Sequence, residues 1–287
     1  MKRILVTGSE GFIGKALVKR LLEDGHEVTG FDLADGDIAE RSSLDKLLGS
    51  GIEYVFHLAG RTFIPDSWEQ PFDFYRVNVL GTLNVLEYCR KTGCELTYVS
   101  TYVYGTPEYL PIDEKHPVKA NNPYTQSKIM AEELCRFYQK EFNVGTCILR
   151  PFNIYGPGQS VHFFIPEIIL KILDPKLESI TLQNIRPSRD FLFIDDFIDA
   201  LINSVLISRE IFNVGSGMSI GVKEIVNKIL NLTQIIKPIR REGYVRNNEI
   251  YITVADVTKI NKFGWNSKVK IDEGLTKCIE FAKTTYF

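Results

Sequence analysis

The chain has 287 residues, 44% of them hydrophobic and 24% charged, and carries a formal net charge of −2. That is ordinary globular composition, with length enough for one large α/β domain, a smaller lobe and a sizeable core. With no Lys/Arg tract or basic face, nucleic acid is excluded as the expected partner.

No apolar run approaches a membrane span, and the charged pair and four residues ahead of Gly8 are too short for a signal segment, so a cytoplasmic protein is expected. The five cysteines are odd in number and show no CxxC or Cys/His cluster. Reduced thiols are therefore expected, with neither a disulfide framework nor a metal site.

In chain order, residues 4–6 read as a buried strand, and 12–22 as a helix with Phe12, Ile13, Ala16, Leu17 and Leu21 at helical spacing. Residues 28–31 and 54–58 predict the second and third strands. A helix follows over 72–90, a fourth strand over 96–99, a strongly patterned helix over 124–142 and a fifth strand over 146–149. This alternation predicts an α/β fold, a doubly wound parallel sheet of the Rossmann kind. After Pro151 the rhythm changes. Residues 153–158 read as a loop, 165–173 as a helix, 180–182 as a strand, 191–214 as a strand-helix-strand unit and 271–281 as a short helix. The expected division is a dinucleotide-binding domain over 1–155, with a return near 191–215, and a smaller substrate-binding lobe made mainly of 156–287.

Gly8-Ser9-Glu10-Gly11-Phe12-Ile13-Gly14 joins the first strand to the first helix. Glycines there permit a tight turn and close approach of backbone to a pyrophosphate, and the helix N-terminus adds N–H donors. Asp32 ends the second strand, where a carboxylate accepts from adenosine ribose hydroxyls and repels a 2′-phosphate. NAD is thus expected over NADP, although NADP remains possible.

Tyr124 and Lys128 lie four apart at a helix start, on one face. An ammonium beside a phenol is expected to lower its pKa and fit it for proton transfer at a sugar oxygen. Ser100 ends the fourth strand at the sheet's C-terminal edge, where its hydroxyl could hold the same oxygen. Asn78 lies in an apolar helical stripe and must be hydrogen-bonded, either to backbone or to a water chain behind the lysine.

Further matches are Asp37-Ile38, His57-Leu58-Ala59-Gly60, Asn78-x-x-Gly81-Thr82, Ser100-Thr101-x-Val103-Tyr104-Gly105, Arg150-x-x-Asn153-x-Tyr155-Gly156-Pro157, Arg189-Asp190-Phe191, Asn213-Val214-Gly215-Ser216-Gly217, Asp256 and Gly264-Trp265. With these the chain resembles, nearly end to end, the extended short-chain dehydrogenases/reductases that process nucleotide sugars. The resemblance implies Tyr124 as acid/base, Lys128 as its partner, Ser100 on the reacting C4 oxygen and Asn78 behind them. It implies that Gly8, Gly11, Phe12, Ile13, Gly14 and Asp32 hold the dinucleotide, together with Tyr124 and Lys128. Asp37 and Ile38 would flank the adenine, and Leu58, Ala59 and Gly60 the path from diphosphate to ribose. Thr62, Asn153, Arg189 and Arg246 would contact the nucleotide sugar, the arginines through its diphosphate. A homodimer built on the 72–90 and 124–142 helices is also implied.

Relatives of this type include 4,6-dehydratases, 4-epimerases and 4-keto reductases. Dehydratases carry an Asp-Glu pair where this chain has Thr101 and Tyr102, which disfavours elimination. The short 33–40 connection, the 184–191 loop and the 246–250 run favour reduction of a nucleotide 4-keto-6-deoxysugar, with a 4-epimerase of the UDP-glucose/UDP-galactose kind as the alternative. A catalytically silent regulator on the same fold would be expected to lose Tyr124 or Lys128, and this chain keeps both.

Overall fold

The computed structural model describes residues 1–243 and 249–287. Its first part runs β1 (Arg3–Thr7), α1 (Phe12–Glu23), β2 (Glu27–Phe31), β3 (Tyr54–His57), α2 (Ile64–Glu69), α3 (Pro71–Tyr75), α4 (Gly81–Thr92), β4 (Glu95–Val99), α5 (Pro123–Phe142) and β5 (Thr146–Pro151). There follow β6 (Asn153–Tyr155), α6 (Phe164–Leu173), β7 (Ile180–Leu182), β8 (Ser188–Phe193), α7 (Ile194–Ser204) and β9 (Ile211–Val214). The last elements are β10 (Ser219–Gly221), α8 (Val222–Thr233), β11 (Ile239–Arg241), α9 (Thr258–Lys262) and α10 (Ile271–Tyr286).

The main sheet has the order β2-β1-β3-β4-β5-β9, every pair parallel. Strands covered on both faces read as continuous apolar runs, and Ile4, Leu5 and Val6 of β1 are all buried. On one face Val85 and Leu86 of α4 pack with Ala131 and Cys135 of α5. On the other, Leu17 and Leu21 of α1 pack with Phe197 and Leu201 of α7. The order reverses between β1 and β3, and ligands bind in the crevice outside such a reversal. His57 ties this point together. Its ring, fully buried, bonds Thr7 Oγ1 at 2.7 Å and Thr82 Oγ1 at 3.0 Å. Burial first, and the Lys128 charge second, hold its pKa down to about 3, so it is neutral near pH 7.

The remaining strands form a three-stranded sheet, β10-β8-β6, and a parallel β11-β7 pair. The buried Asp190 carboxylate pins this part to the main sheet. It accepts from Ser216 N and Oγ, both at 2.7 Å, and from Gly217 N and Ala255 N, both at 3.0 Å.

Several expectations need correction. The 72–90 helix is two helices joined by a π-helical turn over Arg76–Leu80, and this turn carries Asn78. Such insertions often mark functional sites. Residues 153–155 form a strand, and the last helix extends to Tyr286. The β2–β3 connection is not short: it spans 32–53, with only a 3₁₀ turn at Asp45–Leu47. All five cysteines are free and buried, as expected. No described helix is long and apolar enough to cross a membrane, and no group of three or more His, Cys, Asp or Glu among the described residues could hold a metal.

One buried ion pair joins α5 to β5. Glu132, with no exposed surface, accepts Arg150 Nε at 2.9 Å and Nη2 at 2.6 Å, and Arg150 is 2% exposed. Removing one partner strands the other charge in the interior. Glu132→Ala is expected to lower the unfolding free energy by about 3–5 kcal/mol in urea titration. A loss below about 1 kcal/mol, the range of an exposed pair, would show that the interior tolerates the lone guanidinium.

Candidate active site

The glycine turn is shaped by its neighbours. Gly8 adopts φ +72°, and a Cβ on it would stand 2.7 Å from Ala59 N. A Cβ on Gly14 would collide with the Gly8 carbonyl, so α1 starts pressed against the turn. Gly11 caps α1 without a side-chain cap, leaving the helix's first N–H groups to an outside acceptor. Phe12 and Ile13 are half-buried within this first turn. Leu58, Ala59 and Gly60 leave β3 directly opposite. A Cβ on Gly60 would meet Asn78 Oδ1 at 2.9 Å and Lys128 Nζ at 3.7 Å. Backbone thus lines both walls of the crevice, a cradle suited to a dinucleotide pyrophosphate.

Asp32 lies half-buried at the end of β2 and accepts the Glu10 and Leu33 N–H groups, each at 2.8 Å. Asp37 is committed elsewhere. It accepts Ala39 N at 2.9 Å and Arg76 Nη1 at 2.6 Å, which hold its carboxyl below the ordinary range. Ile38 is buried, with its Cγ2 at 2.9 Å from the position of a Cβ on Gly81.

Pro123 opens α5, and Asn122 caps it by accepting Thr125 N at 2.8 Å. This sets Tyr124 and Lys128 on one buried face. Lys128 Nζ donates to Val99 O at 2.7 Å and sits 4.7 Å from the Tyr98 ring centroid. Burial lowers its pKa to about 8. Tyr124 departs from expectation: burial pushes its phenol up to about 12, opposed by the neighbouring Thr101 hydroxyl.

Ser100 also lies differently from the expected arrangement. Its hydroxyl donates to Glu132 Oε1 at 2.6 Å, so it faces the buried ion pair. Strand alternation accounts for this. Tyr98 and Ser100 share the side of β4 that faces α5, and there Ser100 meets a residue about two turns beyond Tyr124. The hydroxyl that reaches the phenol belongs to the next residue, Thr101. Placing Ser100 at the end of the fourth strand did not show this, whereas strand alternation could have.

Asn78 adopts the backbone-bonded arrangement of the two expected. Its Oδ1 accepts Arg61 N at 2.9 Å, and its Nδ2 donates to Arg61 O at 3.1 Å and to Ser127 Oγ at 2.9 Å. Ser127 Oγ donates in turn to Tyr124 O at 2.7 Å. Asn78 therefore locks the loop after Gly60 onto the start of α5. Arg61, which the sequence reading did not single out, braces that loop through Asp73 at 3.0 Å and lies 5.2 Å from the Phe74 ring centroid. The Phe74 ring meets the Tyr124 ring edge-on at 6.2 Å between centroids.

A second cleft of about 430 Å³, within the size range of ligand pockets, opens among β6, β8, α6 and the 183–187 loop. Asn153, Arg189, Phe164, Phe191 and Glu249 line it. Arg189 Nη2 pairs with Glu249 at 3.1 Å, and Asn153 Nδ2 donates to Asp190 O at 3.0 Å. Glu249 falls in the 246–250 run, which bore on reaction type in the sequence but not on this pairing. Thr62 is exposed in the loop between β3 and α2. Arg246 lies outside the described residues.

Comparison with known proteins agrees with this geometry. Residues 4–215 match the model of the NAD dependent epimerase/dehydratase family. A putative UDP-glucose 4-epimerase of Methanocaldococcus jannaschii is 30% identical, over 98% of both chains. A GDP-6-deoxy-D-talose 4-dehydrogenase of Aggregatibacter actinomycetemcomitans is 31% identical over 90% of both. The crystal structure of Thermus thermophilus UDP-glucose 4-epimerase in complex with NAD superposes with a TM-score of 0.90, at 26% identity over 99% of both chains. The match spans the turn, the cradle and the Tyr124–Lys128 helix, and the chain belongs to the NAD dependent epimerase/dehydratase family.

Proposed function

We propose that this enzyme carries out oxidoreduction at C4 of a nucleotide-activated sugar, in the direction of reducing a nucleotide 4-keto-6-deoxysugar. One observation carries the reading: Tyr124 and Lys128 share one buried face of α5 beside the crevice, with the Lys128 Nζ held on Val99 O at 2.7 Å. A phenol so placed is poised to hand a proton to an oxygen that gains charge. A dinucleotide held through its pyrophosphate by the glycine cradle would supply the hydride chemistry. Thr101 holds the reacting oxygen together with Tyr124, and Lys128 sets a positive charge beneath them. Thr101 and Tyr102 offer no carboxyl group for elimination, in keeping with the expectation against a dehydratase. Arg189 and Asn153 are assigned to the substrate diphosphate. The GDP-6-deoxy-D-talose 4-dehydrogenase relative supports this reading. The 4-epimerases among the relatives, which match over more of their length, favour a second reading as a 4-epimerase. A homodimer through α4 and α5 belongs to the same proposal, and Met130 and Phe137 are exposed on α5.

Thr101→Val tests the hydroxyl. In the oxidative direction Tyr124 must first lose its proton, so the rate climbs with pH. The threonine hydroxyl stabilises the phenolate and lowers this pKa, so its removal should move the climb to higher pH. It should also cut kcat about 100-fold, while Thr101→Ser keeps most of the activity. An unshifted pH profile would assign Thr101 to structure alone.

Asp32→Ala should raise the ratio of NADPH to NADH affinity, because the parent carboxylate favours ribose hydroxyls and repels a 2′-phosphate. Fluorescence titration reads both constants. A parent enzyme that already binds NADPH at least as tightly as NADH would reverse the assignment.

Stoichiometry separates the two reactions. A nucleotide 4-keto-6-deoxysugar should oxidise NAD(P)H one for one and yield a new C4 hydroxyl, and UDP-glucose and UDP-galactose should not interconvert. Steady interconversion of a C4 epimer pair without net change in NADH would establish the epimerase.

A further inference from the structure

Lys128 is only 3% exposed, and an ammonium so buried is costly unless something stands in for water. One of its hydrogens goes to Val99 O at 2.7 Å. Glu132, one turn along α5, spends its oxygens on Ser100, Arg150 and Arg136. An aromatic face supplies what these leave out. Nζ lies over the Tyr98 ring, 4.7 Å from its centroid, and Tyr98 is 1% exposed. The negative face of a ring attracts a cation, and the attraction is stronger where both are desolvated.

The Tyr98 hydroxyl does not explain the residue. It is buried towards Thr82 but completes no hydrogen bond, a condition that costs stability. Thr82 Oγ1 is already engaged, by His57 Nε2 at 3.0 Å and by the Asn78 carbonyl at 2.6 Å. The ring is the part that is used. Lys128 takes one of its sides, and the His57 ring stands 5.7 Å away between centroids.

The other titratable groups that face Lys128 leave room for this effect. From β3, His57 is neutral. From α5, burial keeps the Cys135 thiol protonated, and Glu132 shares its charge as described. From β4, burial holds the Tyr98 phenol well above its ordinary range, so the ring itself carries no charge.

We infer that Tyr98 is a positioning residue whose buried ring is a cation–π platform for the Lys128 ammonium beneath the crevice. Its catalytic meaning rests on the reading of Tyr124 and Lys128 given above. The sign of its effect follows from charge. The ring favours the ammonium over the neutral amine, so it counteracts the burial that brings Lys128 down to about 8. Weakening the ring should therefore move the titration of Lys128 to lower pH.

Tyr98→Phe, followed by phenylalanines bearing one, two and three ring fluorines at the same position, tests this. Fluorine drains charge from the ring face while nearly preserving its shape. Carbon-13 NMR of the full chain, labelled at lysine Cε, follows Lys128 through the resonance lost in Lys128→Met. Tyr98→Phe should titrate close to the parent, and the midpoint should fall with each fluorine, by about one pH unit in all. Tyr98→Leu should fall at least as far; should that variant not fold, the fluorinated series decides alone. A midpoint constant across the fluorinated series overturns the inference, and so does a fall in Tyr98→Phe as large as that in Tyr98→Leu. Turnover of a nucleotide 4-keto-6-deoxysugar with NAD(P)H tests the reading beneath it, since the alkaline limit of kcat should move down along the same series. A Lys128 midpoint that moves while this limit stays fixed upholds the platform and removes Lys128 from the reaction.

Discussion

The buried Glu132–Arg150 pair holds the site together from below. Glu132 belongs to α5, the helix of Tyr124 and Lys128, and Arg150 to β5. The same carboxylate takes the Ser100 hydroxyl from the end of β4. Arg150 goes on through Tyr104, at 2.9 Å, to Asn213 on β9, whose Nδ2 donates to Ile112 O at 2.9 Å. One network thus fixes the height of α5 against three adjacent strands. A buried ion pair is weak evidence of stability in itself, but it is directional, and here the direction is what the chemistry requires. With Ser100 held on Glu132, the next residue is presented to the phenol.

The parallel sheet and the ligand crevice were legible because they rest on local rules. Apolar runs bounded by glycine gave β1 to β5, and the spacing of Gly8, Gly11 and Gly14 between strand and helix gave the cradle. The pairing of Tyr124 with Lys128 followed from helix geometry alone. What failed needed three-dimensional context. A π turn leaves no mark in apolar periodicity, so α3 and α4 read as one helix. α8 has a clear apolar stripe in Ile225, Val226 and Ile229, but the Gly215–Gly221 stretch ahead of it, rich in glycine and serine, masks its start. The donor and acceptor roles of Ser100, Asp37 and Asn78 depend on partners far along the chain. A residue type in a motif says which bonds are possible, and its neighbours decide which are made.

Asn78 illustrates how the fold spends a local irregularity. The π turn widens the helix at the level of Gly60 and Lys128, and the amide fills that space by bonding both backbone groups of Arg61. On its other side it holds Ser127, and Ser127 holds the Tyr124 carbonyl. The loop carrying Gly60 and the start of α5 are therefore positioned against one side chain. Since both line the crevice, the spacing between the cradle and the phenol is set by hydrogen bonds of fixed length and does not depend on loop packing.

Division of labour follows from where these constraints act. The crevice over β1 and β3, with neutral His57 beneath it, is common ground for any hydride chemistry. What can differ is the segment just beyond β4. There Thr101 neighbours the phenol, while Tyr102 donates to Gly105 O at 2.7 Å and meets Phe152 and Tyr104 edge-on. That aromatic cluster occupies the ground where a carboxylic acid would be needed for elimination, and burial drives the Tyr102 pKa up. In the proposed reading, reaction type belongs to this short segment and ligand identity to the separate cleft on α6, β8 and the 183–187 loop. Each can change without disturbing the network that holds Tyr124 in place.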